Sequence, residues 1–259
     1  YLDSIFHLPC YEKLAGHDVT ILRQKYDDPA DLAVAIGDAE AVVLFRERTK
    51  ITDELLSHLP GVKLISQRSA YPHIDVDACT KRGVLLCSKQ GAGKAPSYAA
   101  AEMTWALIMA SARQIVEQNA SLKSGQWQIG KTLRGRTIGI LGYGKISRVV
   151  AGYAKAFGMN VLVWASEASR KAATEGGLDV AASREAFFAA PDIITVHMRL
   201  TPETRGTITV DDLARMRPGS LFVNTSRAGL VAPGALLAAL DAGRPGKAAV
   251  DVLDTEPLI

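Results

Sequence analysis

The stretch Thr137-Ile-Gly-Ile-Leu141-Gly142-Tyr143-Gly144-Lys145-Ile146-Ser147 decides the fold. Its first five residues are an apolar, β-branched run of strand length, and from Lys145 an amphipathic helical pattern continues to about Phe157. Between them lies a glycine turn. The first glycine of such a turn permits a tight bend, and the second lets the backbone approach a pyrophosphate. The helix that follows offers unpaired N–H groups and the positive end of its dipole. The third position, normally glycine or alanine, is Ser147, small enough to keep helix and strand close. Strand, turn and helix together make Gly142, Tyr143, Gly144, Lys145 and Ile146 candidates for holding a dinucleotide.

Outward from this turn, short β-branched runs alternate with helical patterns along the chain, the pattern of parallel sheets covered by helices. The expected fold is α/β with two doubly wound parallel-sheet domains. Residues 1–93 carry predicted strands at 19–22, 41–45, 62–66 and 84–87, with helices at 29–36, 53–58 and 75–81. A Gly/Pro-bearing connector at 90–96 follows. Residues 94–259 open on one long, largely buried helix at 98–124. Five strands follow at 137–141, 160–164, 192–197, 221–224 and 248–252.

Composition excludes several classes. With 48% hydrophobic and 22% charged residues in 259, the chain reads as globular, neither disordered nor disulfide-stapled. A formal net charge of +3, with both signs mixed along the chain, provides no basic stripe for nucleic acid. Cys10, Cys79 and Cys87 form no C-x-x-C pair and no metal-ligand spacing, so no metal site is expected and a reducing cytoplasm is the default. No run of 18 apolar residues suggests a membrane span.

The strand at 160–164 ends where an NAD-binding unit usually places an acid on the ribose hydroxyls. Ala165 stands there instead. Glu167 could reach the ribose from two residues further on, or Ser166 and Arg170 could receive a 2′-phosphate. One basic residue before Lys171 is a sparse positive cluster, which favours NAD(H) over NADP(H).

Four blocks in order, Gly135-Arg-Thr-Ile-Gly-Ile-Leu-Gly-Tyr-Gly-Lys-Ile146, Val196-His-Met-Arg-Leu-Thr-Pro-Glu-Thr-Arg-Gly206, Leu221-Phe-Val-Asn-Thr-Ser-Arg-Ala-Gly-Leu-Val231 and Ala249-Val-Asp-Val-Leu-Asp-Thr-Glu-Pro257, resemble the signature of the D-isomer-specific 2-hydroxyacid dehydrogenases. The likeness extends more loosely to residues 64–75 and 99–102. It implies a Rossmann-type nucleotide domain inserted in a flavodoxin-like substrate domain, with the chain incomplete at both ends. It also implies hydride transfer between NAD(P)H and a small 2-keto or D-2-hydroxy acid. Arg227 would hold and polarise the substrate, as a guanidinium forks a carboxylate and stabilises charge on oxygen. Glu256 matches the acid that supports the family's proton-donating histidine, whose position falls beyond Ile259.

The same resemblance implies that Asp251 accepts from the nicotinamide carboxamide and that His197 borders the nicotinamide ribose, with a core or packing role the alternative for His197. Asn224, Thr225 and Ser226 would line the nicotinamide half of the groove, and Met198, Arg199 and Thr204 the adenine half. Thr104 is a further cofactor candidate. Loop capping is the alternative role for the groove positions. In the first domain, Arg46, Ser69, Ala70 and Tyr71 are substrate-side candidates, although the loop at 67–71 lacks the glycines its relatives carry. Tyr71 either closes the pocket or packs beneath it. A homodimer through the nucleotide domain is expected, with helix 98–112 as the contact or, equally, as internal core. Two further readings share the scaffold: a nucleotide-responsive corepressor, and a formate- or phosphite-type dehydrogenase.

Overall fold

The structure is a computed structural model, and it describes residues 13–24, 26–45, 49–68, 71–88, 98–127 and 129–254. Its contacts divide into two compact units, Tyr1–Lys94 and Ala95–Ile259.

In the first unit, strands β1 (Ala41–Phe45), β2 (Leu64–Arg68) and β3 (Leu85–Ser88) form a parallel sheet in that order, with Ala41 opposite Leu64 and Leu64 opposite Leu85. Helices α1 (Pro29–Ile36), α2 (Asp53–Ser57) and α3 (Val76–Lys81) start where the sequence supplies caps. Asp28 accepts from the Ala30 amide at 2.7 Å with Pro29 next, Thr52 from Leu55 at 3.2 Å, and Asp75 from Ala78 at 2.9 Å. Leu55, Leu56, Leu59, Ile65, Ile74 and Cys79 form the core, with Tyr71 packed against it.

The predicted strand at 19–22 is not formed. A strand exists only by pairing, and no described residue pairs with this segment; Val19 is 46% exposed. Strands predicted at 62–66 and 84–87 lie at 64–68 and 85–88, because the preceding turns take up Val62 and Val84 as core anchors.

The second unit carries a six-stranded parallel sheet. Its strands are β4 (Thr137–Leu141), β5 (Asn160–Trp164), β6 (Asp179–Val180), β7 (Ile193–Val196), β8 (Leu221–Asn224) and β9 (Lys247–Val250), in the order β6-β5-β4-β7-β8-β9. All neighbours are parallel. This is the Rossmann order, in which the chain reverses direction of travel between β4 and β7. That switch point opens a crevice at the carboxyl ends of the strands. Strands β7 and β8 are buried at every position, the mark of a sheet covered on both faces.

Helix α4 (Tyr98–Arg113) and helix α6 (Lys145–Ala156) cover one face. Trp105 of α4 packs on Phe157 and Tyr153 at ring distances of 5.0 and 5.9 Å. The inward residues of α6, Ser147, Val150, Ala151 and Ala154, follow the helical period. Helices α7 (Glu167–Glu175), α8 (Arg184–Ala189), α9 (Val210–Ala214) and α10 (Ala235–Asp241) complete the layers. Phe187, Phe188, Phe222 and Ile194 centre a second core there. Arg184 clamps that side: it grips Asp212 through Nε and Nη2 at 2.9 and 2.8 Å and donates to the Thr207 carbonyl at 2.6 Å. Asp212 is 7% exposed and also accepts from the Thr209 amide.

The single helix expected at 98–124 is two, α4 and α5 (Ile115–Lys123), broken at Gln114 in the left-handed conformation (φ 55°). The break has a tertiary cause. Gly130 crosses so close to Arg113 that a Cβ would strike its backbone, and the Lys131 amide donates to the Ala112 carbonyl at 2.7 Å, ending α4 there. Nor is the helix largely buried: of α4 only Ala101, Thr104 and Ile108 are, and α5 buries Ser121 alone. No helix among the described residues is long and apolar enough to cross a membrane.

Candidate active site

The glycine turn is built as its sequence requires. Gly142 has φ +89°, and a Cβ there would stand 2.5 Å from the His197 carbonyl oxygen, so only glycine fits. Its amide donates to the Trp164 carbonyl at 2.7 Å, and the His197 amide donates to Leu141 at 2.7 Å. The turn is thereby stitched to the ends of both neighbouring strands. Gly144 differs: its φ is −120°, and a Cβ there would meet nothing within 4 Å. Open space beside its Cα is what an approaching phosphate needs. Ser147 is fully buried; its hydroxyl accepts from the Gly144 amide at 2.6 Å and donates to the Gly144 carbonyl at 3.1 Å. The serine at the third position therefore does more than fit, since it pins the turn to the first turn of α6. Lys145 and Ile146 follow at the helix start. These residues fit a dinucleotide's pyrophosphate.

At the end of β5, Ala165 is half-buried while Ser166 and Glu167 are exposed, Ser166 as the residue entering α7. The Ser166 hydroxyl donates to that of Ser169 at 3.2 Å. Arg170 lies with its guanidinium 4.5 Å from the centre of the Trp164 ring.

Beyond β7, His197 is partly buried, its Nε2 3.1 Å from the Thr195 hydroxyl, which is fully buried. Burial lowers the imidazole pKa to about 4, so the ring is neutral at pH 7. Met198 packs partly buried against the second core, and Arg199 is exposed. The Thr204 hydroxyl accepts from the Thr201 amide at 2.8 Å and donates to the Arg199 carbonyl at 2.7 Å. It caps its own loop, the alternative role for that position.

After β8 the loop is locked from within. Asn224 is 2% exposed, and its amide is spent on the Arg227 carbonyl at 3.0 Å and the Ser226 amide at 3.0 Å. Ser226 donates to the Val196 carbonyl at 2.7 Å, tying this loop to β7. Arg227 is exposed at the carboxyl edge, with Nη1 donating to the Ser226 carbonyl at 2.8 Å. Asp251, just past β9, is exposed, and its amide donates to the Asn224 carbonyl at 3.1 Å.

Thr104 does not face the groove. It is fully buried, bonded to the Ala100 carbonyl at 2.8 Å and to the Thr225 hydroxyl at 2.7 Å. It holds Thr225 from behind. Asn224 is likewise a scaffold of the loop rather than a side-chain contact for a ligand.

Apart from Thr104, the cofactor candidates thus gather on one edge of one sheet, across its switch point, with Arg227 among them. Glu256, Arg46, Ser69 and Ala70 lie outside the described residues. Tyr71 is partly buried and packs against the core of the first unit. Sequence reading missed three contributors: Thr195 behind His197, Trp164 behind Gly142 and Arg170, and Arg148, whose guanidinium lies 4.9 Å from the Tyr143 ring centre. Only Arg148 had a sequence signal, its place directly after the third turn position. Among the described residues no group of three or more acids, histidines or cysteines is set to hold a metal.

A Rossmann sheet with this turn and this rim defines a dinucleotide-binding protein. Residues 105–259 match the model of the D-isomer specific 2-hydroxyacid dehydrogenase NAD binding domain, and the chain belongs to that family. It is 43% identical to the phosphoglycerate oxidoreductase of Vibrio cholerae O395, whose crystal structure superposes with a TM-score of 0.90 over 100% of this chain and 83% of that one. It is 35% identical over 247 residues to the glyoxylate reductase of Aeropyrum pernix, covering 90% of this chain and 72% of that protein. The D-3-phosphoglycerate dehydrogenase of Mycobacterium leprae is also 35% identical, over 95% of this chain; the chain spans 48% of that protein.

Proposed function

We propose that this chain carries the dinucleotide site and the substrate arginine of an enzyme that transfers hydride between a nicotinamide cofactor and a small 2-keto or D-2-hydroxy acid. The observation that carries this reading is the placement of Arg227. Its guanidinium stands exposed on the same sheet edge as the glycine turn, fixed by the Ser226 carbonyl, in a loop that Asn224 and Ser226 lock internally. A guanidinium so placed can fork a carboxylate and a neighbouring carbonyl oxygen without losing its charge.

The bound cofactor supplies or accepts the hydride. Gly144 and the start of α6 hold its phosphates, Ser166 and Glu167 lie beside its adenosine ribose, and Thr225, Ser226 and Asp251 orient the nicotinamide end. Arg227 binds the acid and stabilises the charge that grows on its oxygen. His197 is not the proton donor: with a pKa of about 4 it holds no proton to give near neutral pH. That role falls to a histidine supported by Glu256, as the family resemblance implies. Arg46, Ser69, Ala70 and Tyr71 remain substrate-side candidates of the first unit. NADH is the cofactor that the family's description supports.

We further read the protein as a cytoplasmic homodimer that binds neither membrane nor nucleic acid. The expected 98–112 helix offers Tyr98 and Met103, 54% and 43% exposed, as an apolar contact, and a second apolar surface lies beside it in sequence. It lies on α5 and the segment after it, where Val116, Trp127 and Ile129 are 72%, 78% and 82% exposed. Light scattering at micromolar concentration tests this, with a monomer mass as the refuting result.

Absorbance-monitored oxidation of NADH and NADPH with glyoxylate, hydroxypyruvate and pyruvate tests the activity. Turnover that disappears in Arg227→Ala while cofactor still binds supports the reading. Tight cofactor binding without turnover on any acid would transfer it to a nucleotide-responsive binding protein.

A further inference from the structure

The glycine turn and the candidate residues around it occupy the carboxyl edge of the six-stranded sheet. The opposite, amino edge holds a cavity of about 150 Å³ lined by none of them. Its walls come from segments on their way into the sheet. Arg136 directly precedes β4, Asp192 precedes β7, Gly219 lies just before β8 and Lys247 opens β9. The end of α4 and the returning segment at Lys131 close one side. Two glycines packed backbone to backbone keep the floor free of side chains. A Cβ on Gly246 would stand 2.6 Å from the Gly219 Cα, and one on Gly219 would meet the Lys131 ammonium at 3.5 Å. Leu133, Ile193 and Leu221 supply an apolar wall.

Charge around this cavity is unbalanced. Asp192 is one carboxylate shared by two guanidiniums, with Oδ1 3.3 Å from Arg136 and 3.8 Å from Arg217, while its Oδ2 accepts from the Thr137 amide at 2.9 Å. Lys247 is paired with Glu117 of α5 at 2.8 Å. Lys131 has no ion pair among the described residues, and its ammonium lies 3.5 Å from the Gly219 carbonyl oxygen. Four cations therefore meet two carboxylates, and the unmatched positive charges lie at Lys131 and at the Arg136–Arg217 pair. The nearest helix end does not cancel them, because the Ala112 carbonyl at the end of α4 already accepts from the Lys131 amide at 2.7 Å. Lys131 sits over the start of β8, and β4 and β8 stand two strand spacings apart in the sheet. The two unmatched charges are thus separated by roughly 5–10 Å.

From this geometry we infer that the amino-edge cavity is a binding site for a small aliphatic dicarboxylate, separate from the dinucleotide crevice. One carboxylate takes the guanidinium edge at Arg136 and Arg217, where a planar fork suits it, and the other takes the Lys131 ammonium. The hydrocarbon between them lies along Leu133, Ile193 and Leu221, whose apolar wall a diacid covers and a bare inorganic anion leaves wet. A compact anion such as sulfate also meets only one of the two separated charges. Asp192 opposes any anion here, but the two guanidiniums and the Thr137 amide that hold it offset that repulsion. The cavity shares no residue with the proposed catalytic machinery, so the site stands whether or not the activity does.

Isothermal titration of the chain with glutarate and adipate, beside acetate and sulfate, tests this without requiring turnover. At least one diacid should bind with a Kd of about 1 mM or below. It should bind about tenfold or more tightly than acetate or sulfate, the worth of a second charge-assisted contact. Lys131→Gln should weaken diacid binding about tenfold and leave the melting temperature of the free chain unchanged, while Lys131→Arg should retain the affinity. Arg217→Gln, at an exposed position, should weaken it independently. Binding should persist with NADH present and in Arg227→Ala, which separates the cavity from the crevice and its arginine. Failure of both diacids to bind overturns the inference. So does sulfate binding as tightly as the diacids, the mark of an unspecific cationic surface, or unchanged affinity in both Lys131→Gln and Arg217→Gln. Loss of binding on addition of NADH or in Arg227→Ala would put the diacid in the crevice and overturn it equally.

Discussion

Two glycines only two residues apart, Gly142 and Gly144, should fail in opposite ways when replaced by alanine. At Gly142 the φ of +89° already costs an L-residue about 1–2 kcal/mol. The new Cβ would also stand 2.5 Å from the His197 oxygen and 2.9 Å from its carbon, where ordinary contact begins at 3.4 Å. Both neighbours are backbone and neither can rotate away. The turn must instead move from β7, straining the Gly142 bond to Trp164 and the His197 bond to Leu141, each 2.7 Å. Losing one or both adds about 0.5–1.5 kcal/mol apiece. A total near 2–4 kcal/mol should lower the melting temperature by roughly 5–12 °C. Gly144→Ala should behave differently, because its φ of −120° suits any residue and its Cβ would enter open space. Its stability should stay within about 0.5 kcal/mol of the parent. Yet that open space is where the pyrophosphate is proposed to lie, so dinucleotide affinity should fall at least tenfold. Denaturant unfolding and calorimetric titration of both variants measure the two effects separately. A Gly142→Ala protein as stable as the parent would refute the packing argument. A Gly144→Ala protein that binds cofactor normally would refute the placement of the phosphate.

Arg227→Lys should lower kcat/KM for a keto acid by about 10²- to 10³-fold with dinucleotide affinity changed little, since an ammonium cannot reproduce the planar fork; steady-state kinetics beside cofactor titration checks this. Asp212 should make the second unit acid-sensitive: burial raises its pKa, but the Arg184 hydrogen bonds and the Thr209 amide outweigh that and lower it below 3.8. The native state therefore gains from the ionised form, a contribution fully present above pH 3.8 and lost as pH falls through the native value. Asp212→Asn should flatten that part of a stability-against-pH curve measured by urea unfolding. His197 acts through the opposite charge state. Its native pKa of about 4 lies below the ordinary 6.5, so the unfolded chain binds the extra proton and stability declines as pH falls from 6.5 towards 4. Between pH 6.5 and 5 the loss should approach, at most, about 2 kcal/mol, and His197→Gln should remove it.

The sequence carries the second unit's strands almost residue for residue, because β4 and β8 are buried apolar runs and β5 an alternating one, and their ends coincide with glycine turns or polar loops. Strand β6 escapes for the converse reason: two residues, Asp179 and Val180, make no periodic signal and exist as a strand only through pairing with Leu162 and Val163. The extended look of residues 19–22 fails on the same point, since propensity without a described neighbour makes no ladder. The break at Gln114 is invisible locally, as no glycine or proline marks it; Gly130, sixteen residues later, sets it by crossing Arg113. The site divides along the same line. Arg227 stood out only through the family resemblance, whereas residues whose backbone makes the turn, Gly142 and Gly144, could be read from their spacing. Residues that act through a partner could not. Thr104 was legible as polar on an apolar helix, but not as the support of Thr225, 121 positions away. Trp164 was legible as a strand end, but not as the ring beneath Arg170.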